Sequence, residues 1–312
     1  MNVFEFFGLP ADFRKHPFQQ VKTYDDITEK TRSELYPMYA QIKMDGVYVA
    51  FCFNEGKLEC FGKSGLMMNN MDKMKCQLLF NLKEPLSTLR HIFISEVTNE
   101  RMSLEELSGV INPSRNKPIL KEVADKHYVS TMSFHDCLTM DEFIRGSTQV
   151  CYADRHSRVR QATTRNIIPS HKVNNEVEAR NLFDFYVKQG AEGLVLKPNV
   201  DYKAGFKGWR MMKMVRRISL DLECQGYVMG DPGTKRFGQI SKLLFNLYGK
   251  EIPVDLGKGW TDEDRDNLTC DAKAGDLVGE IFEVYSMKRS SKGRLRLPKV
   301  GERRHDKEEP DV

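Results

Sequence analysis

Apolar positions near residue 40 fall into two strand-like runs separated by a turn. Tyr39, Ala40 and Ile42 lead into Lys43, Asp45-Gly46 marks the turn, and Val47, Val49, Phe51 and Phe53 recur with the period of two that predicts a second strand. Asn54-Glu55-Gly56 predicts a hairpin into a third strand ending at Phe61, and Gly62-Lys63-Ser64-Gly65 closes the meander. Over 70–82 the spacing of Met71, Met74, Leu78 and Leu79 predicts a helix whose methionine stripe is core. The run 91–97 predicts a buried strand interrupted at its end by Glu96, a carboxylate that needs a metal ion, a sugar hydroxyl or a lysine there. Between Asp25 and Leu35 one short helix is expected, capped by Asp25 or Thr23. Loops are expected over 103–130 around Pro113 and Pro118, then a strand over 128–134 leading into His135-Asp136.

Helical periodicity returns over 153–163 and over 176–189, the latter closed by Gly190. Directly after it, Ala191-Glu192-Gly193-Leu194-Val195-Leu196-Lys197-Pro198 places a carboxylate and an ammonium at the two ends of one short strand. Five positions apart, they lie on opposite pleat faces unless the strand twists or bulges. The stretch 208–214 predicts another strand carrying Lys213. From Leu220 onward, short strands (222–228, 240–248, 276–285) alternate with turns such as Asp231-Pro232-Gly233, which suggests a small Greek-key barrel.

Composition narrows the class. At 312 residues and 40% hydrophobic content the chain can build two packed domains. No apolar run approaches the length of a membrane span, and 1–10 lacks the basic head and small-residue cleavage site of a signal peptide. Seven scattered cysteines, an odd number without a close pair, argue for reduced thiols in a cytoplasm and against a disulfide framework or zinc site. The net charge of +4 is unevenly placed: nine basic residues stand between 287 and 307 (Lys288, Arg289, Lys292, Arg294, Arg296, Lys299, Arg303, Arg304, Lys307) with Glu302 and Asp306 the only acids. Leu295 and Leu297 interleave with them, so part of this run is expected to be a strand presenting a basic face to phosphates.

The chemistry centres on Lys43. A partly desolvated lysine at the end of an apolar strand can offer a neutral amine as a nucleophile. Asp45 could orient that amine, and Gly46 lets the chain turn and a phosphate come close. Lys43-Met44-Asp45-Gly46, Glu96 in Phe93-Ile94-Ser95-Glu96, Glu192-Gly193-Leu194-Val195-Leu196-Lys197, Lys213, and Arg304-His305-Asp306-Lys307 follow one another in an order and spacing that resembles the ATP-dependent DNA ligases. The resemblance is to the short bacteriophage type and runs from about Pro37 to Lys307.

That resemblance implies an α+β fold: a nucleotidyltransferase (adenylation) domain of antiparallel sheets and helices over 1–218, then a small OB-fold barrel over 219–312. It implies Lys43 as the nucleophile that takes AMP from ATP, with Asp45 beside it. Lys197 and Lys213 would stand at the α-phosphate, and Lys63 where an arginine is common. Glu96 would contact the ribose or a metal-bound water, and Glu192 would bind Mg²⁺. Gln41 and Ile42 would border the adenine edge, and either Phe134 or His135 would stack on the ring. Arg304 and Lys307 would orient the β- and γ-phosphates when the OB domain closes. ATP and Mg²⁺ are the implied cofactors, and nicked double-stranded DNA the implied partner of a monomeric cytoplasmic protein (host cytoplasm if viral).

Three positions depart from the family pattern. Tyr48 stands where an arginine is usual and cannot grip a phosphate bidentately. Val215 replaces a second lysine after Lys213, and Ile94-Ser95 replaces Asp-Gly before Glu96. The alternatives are an RNA-directed relative (an RNA ligase or an mRNA-capping guanylyltransferase) and a non-catalytic DNA-binding protein with a decayed pocket.

Overall fold

The structure, a computed structural model, describes residues 1–83, 90–286, 289 and 293–312. Lys288 and Lys292 of the basic run therefore lie outside the described residues. The chain divides into two compact units, Met1–Val215 and Arg216–Val312. No helix among the described residues is long and apolar enough to cross a membrane.

The strands of the first unit are, in order, β1 (Gln20–Thr23), β2 (Met38–Ile42), β3 (Val47–Asn54), β4 (Lys57–Phe61), β5 (His91–Thr98), β6 (Thr131–Thr139), β7 (Ser147–Thr148), β8 (His171–Val173), β9 (Gly193–Pro198), β10 (Tyr202–Lys203) and β11 (Lys207–Val215). Two main sheets result, one of order β1-β11-β9-β2-β8 and one of order β4-β3-β5-β6. Pairing is antiparallel except between β1 and β11.

Alternation assigns each side chain to a face. In the five-stranded sheet Met38, Ala40, Leu194, Leu196, Met212 and Met214 pack with Ala179, Leu182, Phe183 and Tyr186 of the helix Glu176–Lys188. The intervening residues of β2, β9 and β11 therefore face the other way. In the four-stranded sheet Val49, Phe51, Phe53 and Phe93 pack with Met74, Leu78, Leu107, Val110 and Val159 from three helices. The opposite face, with Ala50, Cys52, Ile92, Ile94 and Leu138, packs on Val3, Phe4, Phe18 and Phe143.

The second unit is a closed barrel of β12 (Ile218–Met229), β13 (Ile240–Leu247), β14 (Lys250–Leu256), β15 (Ile281–Ser286) and β16 (Lys299–Arg303), in the order β12-β13-β14-β16-β15. The helix Asp262–Ala274, capped by Thr261, lies between β14 and β15 and contributes Leu268 and Ala272 to the barrel core.

Several expectations change. The stretch 103–130 holds two helices, Leu104–Ile111 and Lys121–His127. The first has a capping box between Ser103 and Glu106. The helix expected over 25–35 spans only Glu29–Glu34 and is capped by Thr28, after a 3-10 turn over Tyr24–Asp26. The strand expected over 276–285 begins at Ile281, and that expected around Leu295 and Leu297 is instead Lys299–Arg303, beyond Pro298. Leu295 makes an isolated bridge with Arg289 and packs against the barrel core, and Leu297 is exposed.

Candidate active site

A cleft of about 250 Å³ opens in the first unit, lined from both sheets. Register explains its floor. In the five-stranded sheet Gln41 is paired with Val195, Val195 with Lys213, and Tyr39 with Lys197, all on the face away from the helix Glu176–Lys188. Two residues beyond Gln41, Lys43 leaves the end of β2, its backbone N–H donating to the Gly193 carbonyl at 2.9 Å. Gln41, Lys43, Val195, Lys197, Met211 and Lys213 thus share one surface, and all line the cleft.

Strict alternation from Val195 would turn Glu192 away from this surface. Gly193 breaks the alternation: its φ is +152°, and a side-chain carbon there would sit 2.1 Å from the Met214 carbonyl oxygen, so only glycine fits. The chain ahead of β9 is redirected, and the Glu192 carboxylate accepts a 2.7 Å hydrogen bond from Lys43 Nζ. Gly46 is required for a similar reason, because a carbon on it would lie 2.6 Å from the Val97 carbonyl oxygen.

The second sheet supplies the opposite wall. Tyr48 and Glu96 are cross-strand partners, and both line the cleft with Lys63. In β6 the pairing jumps from Ile94–Asp136 to Ser95–Phe134, leaving His135 as the extra residue of a bulge. The bulge shifts the alternation, so Met132 and Phe134 join Cys137 on the helix-packed face while Leu138 joins the other. Phe134 is consequently buried, its ring 5.7 Å from those of both Phe51 and Phe93. A side chain fixed in the core cannot stack on a base, which corrects the option that gave Phe134 that role. His135 lines the cleft instead.

Four ammonium groups (Lys43, Lys63, Lys197, Lys213) meet two carboxylates (Glu96, Glu192) around this cleft, an excess of positive charge suited to a polyphosphate. Burial drives the ionisation of most of them. It lowers Lys197 to about 8, against the opposing charge of Asp136. Burial also lowers Lys63 and Lys213, assisted in each by other lysines. Glu96 is pushed up to about 7 by burial, against the pull of Lys43 and Lys63. Lys197 Nζ donates to His135 Nδ1 at 3.1 Å and to the His135 carbonyl at 3.0 Å, and lies 4.7 Å above the Tyr152 ring. Burial and the Lys197 charge hold the His135 imidazole well below its usual pKa. A neutral ring accepting at Nδ1 carries its proton on Nε2.

Of the residues expected from the sequence, Gln41, Ile42, Lys43, Lys63, Glu96, His135, Lys197 and Lys213 line one cleft, and Glu192 is bound to Lys43. Asp45 is exposed at the turn, and its charge is felt at Glu96. Arg304 and Lys307 belong to the second unit. Sequence reading missed the support beneath Lys197: Asp136 is buried and held by Arg155 Nε at 3.0 Å, and Arg155 also donates to the carbonyls of Val150 and Val200. A lone acid inside the apolar stretch 132–138 was the available signal, because a buried carboxylate demands a cation. Val21, Met211 and Ile168 complete the apolar wall.

A nucleotidyltransferase unit with a lysine-lined cleft, followed in sequence by an OB-type barrel, is the class this fold and site define. The chain belongs to the ATP-dependent DNA ligase domain family, whose model matches residues 18–214. It is 24% identical over 271 residues to a DNA ligase of Nitrosopumilus maritimus, covering 80% of this chain and 44% of that protein. The chain thus spans less than half the length of this relative. The solved structure Pmar-Lig_Pre shares the fold with a TM-score of 0.74 at 18% identity, over 93% of this chain and 68% of the other. The ATP-dependent DNA ligase of bacteriophage T7, solved with ATP, shares it with a TM-score of 0.52 at 17% identity, over 94% of this chain and all of that one.

Proposed function

We propose that this chain is an ATP-dependent DNA ligase that seals 3′-hydroxyl/5′-phosphate nicks in duplex DNA through a lysyl-AMP on Lys43. The observation that carries the reading is the convergence of Lys43 with Lys63, Lys197 and Lys213 on one cleft. ATP is the substrate expected there, as in the phage T7 complex of similar fold.

In the first step Lys43 Nζ attacks the α-phosphorus, the N–P bond forms, the bond to the bridging oxygen breaks, and pyrophosphate leaves. In the second, a 5′-phosphate oxygen of the nick displaces Lys43 and takes the AMP. In the third, the 3′-hydroxyl oxygen attacks that phosphate and AMP departs. Each step builds negative charge on phosphate oxygens, so fixed cations in a partly dry cleft supply most of the stabilisation. Lys197, held by His135 and backed by the Asp136–Arg155 pair, is oriented before the nucleotide arrives. Lys213 supports the same phosphate and helps discharge pyrophosphate. Glu192 holds the Lys43 amine near its point of attack, and His135 meets the base. Asp45 stands beside the nucleophile, and Gln41 and Ile42 border the adenine edge.

Glu96 and Glu192 are the carboxylates suited to Mg²⁺, which is commonly bound through one or two acids with waters and phosphate oxygens completing its shell. Among the described residues no group of three or more His, Cys, Asp or Glu side chains gathers to hold a metal ion. When bound, the ion would neutralise charge on the phosphates.

Arg304 and Lys307 of the 219–312 domain orient the β- and γ-phosphates in the first step. The basic run near the C-terminal strand contacts the DNA backbone, and the protein acts as a cytoplasmic monomer on nicked duplex. A nick-sealing assay with ATP and Mg²⁺, reading both covalent AMP and joined product, tests the proposal. Wild type yields both products, and Lys43→Ala yields neither. An unmodified Lys43 by mass spectrometry after exposure to ATP would end it, and attachment of GMP in place of AMP would favour the guanylyltransferase alternative.

A further inference from the structure

In the C-terminal unit, Arg304 and Lys307 are gathered on a single carboxylate. Arg304 Nη1 donates to the two oxygens of Asp221 at 3.1 and 2.9 Å, and Lys307 Nζ lies 2.5 Å from the second. The Asp221 side chain is 8% exposed, while Arg304 and Lys307 are 30% and 33% exposed. Asp311 completes the arrangement: its carboxylate accepts from the Asp221 backbone N–H at 2.7 Å and from Lys307 Nζ at 3.0 Å, and its own N–H donates to the Asp221 carbonyl at 2.8 Å. Asp306, 68% exposed, accepts from Arg304 Nε and Nη2 at 2.8 Å each.

These carboxylates differ in permanence. Asp221 sits on β12, is nearly closed to solvent, and holds both cations at once. Asp306 is exposed and occupies the guanidinium edge that a phosphate would take in the same two-bond fashion. Arginine and lysine have long, rotatable side chains that sample many orientations when free, so two of them reach a polyphosphate together only if something sets their spacing.

We propose that Asp221 is a positioning residue for the lysine-adenylylating step, fixing Arg304 and Lys307 as a pair whose outer edges meet the β- and γ-phosphates. This deepens the role given above to those two cations and rests on it.

The test uses the full-length chain and separates the steps. Single-turnover transfer of labelled AMP to the protein is measured as a function of ATP concentration, beside sealing of a pre-adenylated nick. Asp221→Asn keeps the shape and removes the charge. It is expected to slow adenylylation about tenfold to a hundredfold and to raise the ATP concentration for half-maximal rate, the loss of one or two charge-assisted hydrogen bonds. Sealing of the pre-adenylated nick stays within about threefold of wild type. Adding Asp221→Asn to Arg304→Ala slows adenylylation by less than the product of the two single effects, because part of the Asp221 effect runs through Arg304 and the rest through Lys307.

Unchanged adenylylation in Asp221→Asn, an equal loss in both steps alongside a lowered unfolding midpoint, or multiplying effects in the double variant would each overturn the proposal. If Asp221→Asn does not fold, Asp311→Asn is expected to slow adenylylation alone by a smaller factor, and no effect there overturns it. The parent reading fails separately, when Arg304→Ala adenylylates normally. Loss in Arg304→Ala with none in Asp221→Asn sinks the positioning role alone.

Discussion

Replacing Lys197 with methionine sets two sizeable terms against each other. Burial lowers this ammonium from its ordinary 10.5 to about 8, so its charged form is less favourable in the folded protein than in the unfolded chain. At ~1.36 kcal/mol per unit, keeping it charged at pH 7 costs the fold about 3 kcal/mol. Methionine removes that cost and keeps much of the apolar stem. It also strips the donor from the carbonyl and Nδ1 of His135, a loss of about 1–3 kcal/mol. At pH 7 the two nearly offset, so stability at one pH does not discriminate.

The pH slope does. Because the folded pKa is depressed, the unfolded chain binds more protons from about pH 8 to 10.5, and the wild type is stabilised as pH rises through that window. Between pH 7 and 10 this single group contributes about 2.5 kcal/mol, which the variant lacks. Urea unfolding of both proteins from about pH 8 upward isolates the term, since His135, whose ring feels the Lys197 charge, titrates below that window. Adenylylation by the variant should fall about 10²–10³-fold, the usual loss for one fixed donor at a developing charge. Parallel stability curves would refute the claim that Lys197 is a buried charge maintained for function.

Other consequences are equally direct. Gly193→Ala places a carbon against the Met214 carbonyl at a positive φ, and should cost more than about 3 kcal/mol in denaturant unfolding and displace Glu192 from Lys43. Asp136→Asn strands the Arg155 guanidinium in the interior; a loss of about 3–5 kcal/mol is expected by thermal or chemical unfolding, and a loss below about 1 kcal/mol would contradict the pairing described. Nick affinity should fall steeply with added salt in a filter-binding titration, and a flat response would count against the basic run as a DNA surface.

Much of the cleft was legible because period-two patterning needs only local information. Lys43, Glu96, Lys197 and Lys213 lie at or near strand ends that apolar alternation marks out, and the order of motifs did the rest. The choice between Phe134 and His135 was not legible. It depends on a bulge set by pairing between β5 and β6, a contact across some forty residues that no window of sequence displays. Glu192 posed the same difficulty, since its direction comes from the Gly193 backbone pressed on β11. The helix Leu104–Ile111 was within reach, as Ser103 and Glu106 have the capping-box spacing ahead of an amphipathic run. The helix Asp262–Ala274 offered less, with a charged first turn and few apolar residues to set a period.

The surplus position in β6 bears on how the cleft can diverge. His135 belongs to neither packed layer of its sheet, so an exchange there leaves Phe134 among its aromatic neighbours and Asp136 on Arg155. A lineage can thus trial one side chain after another at this edge of the cleft without reopening the interior, provided Lys197 finds another acceptor.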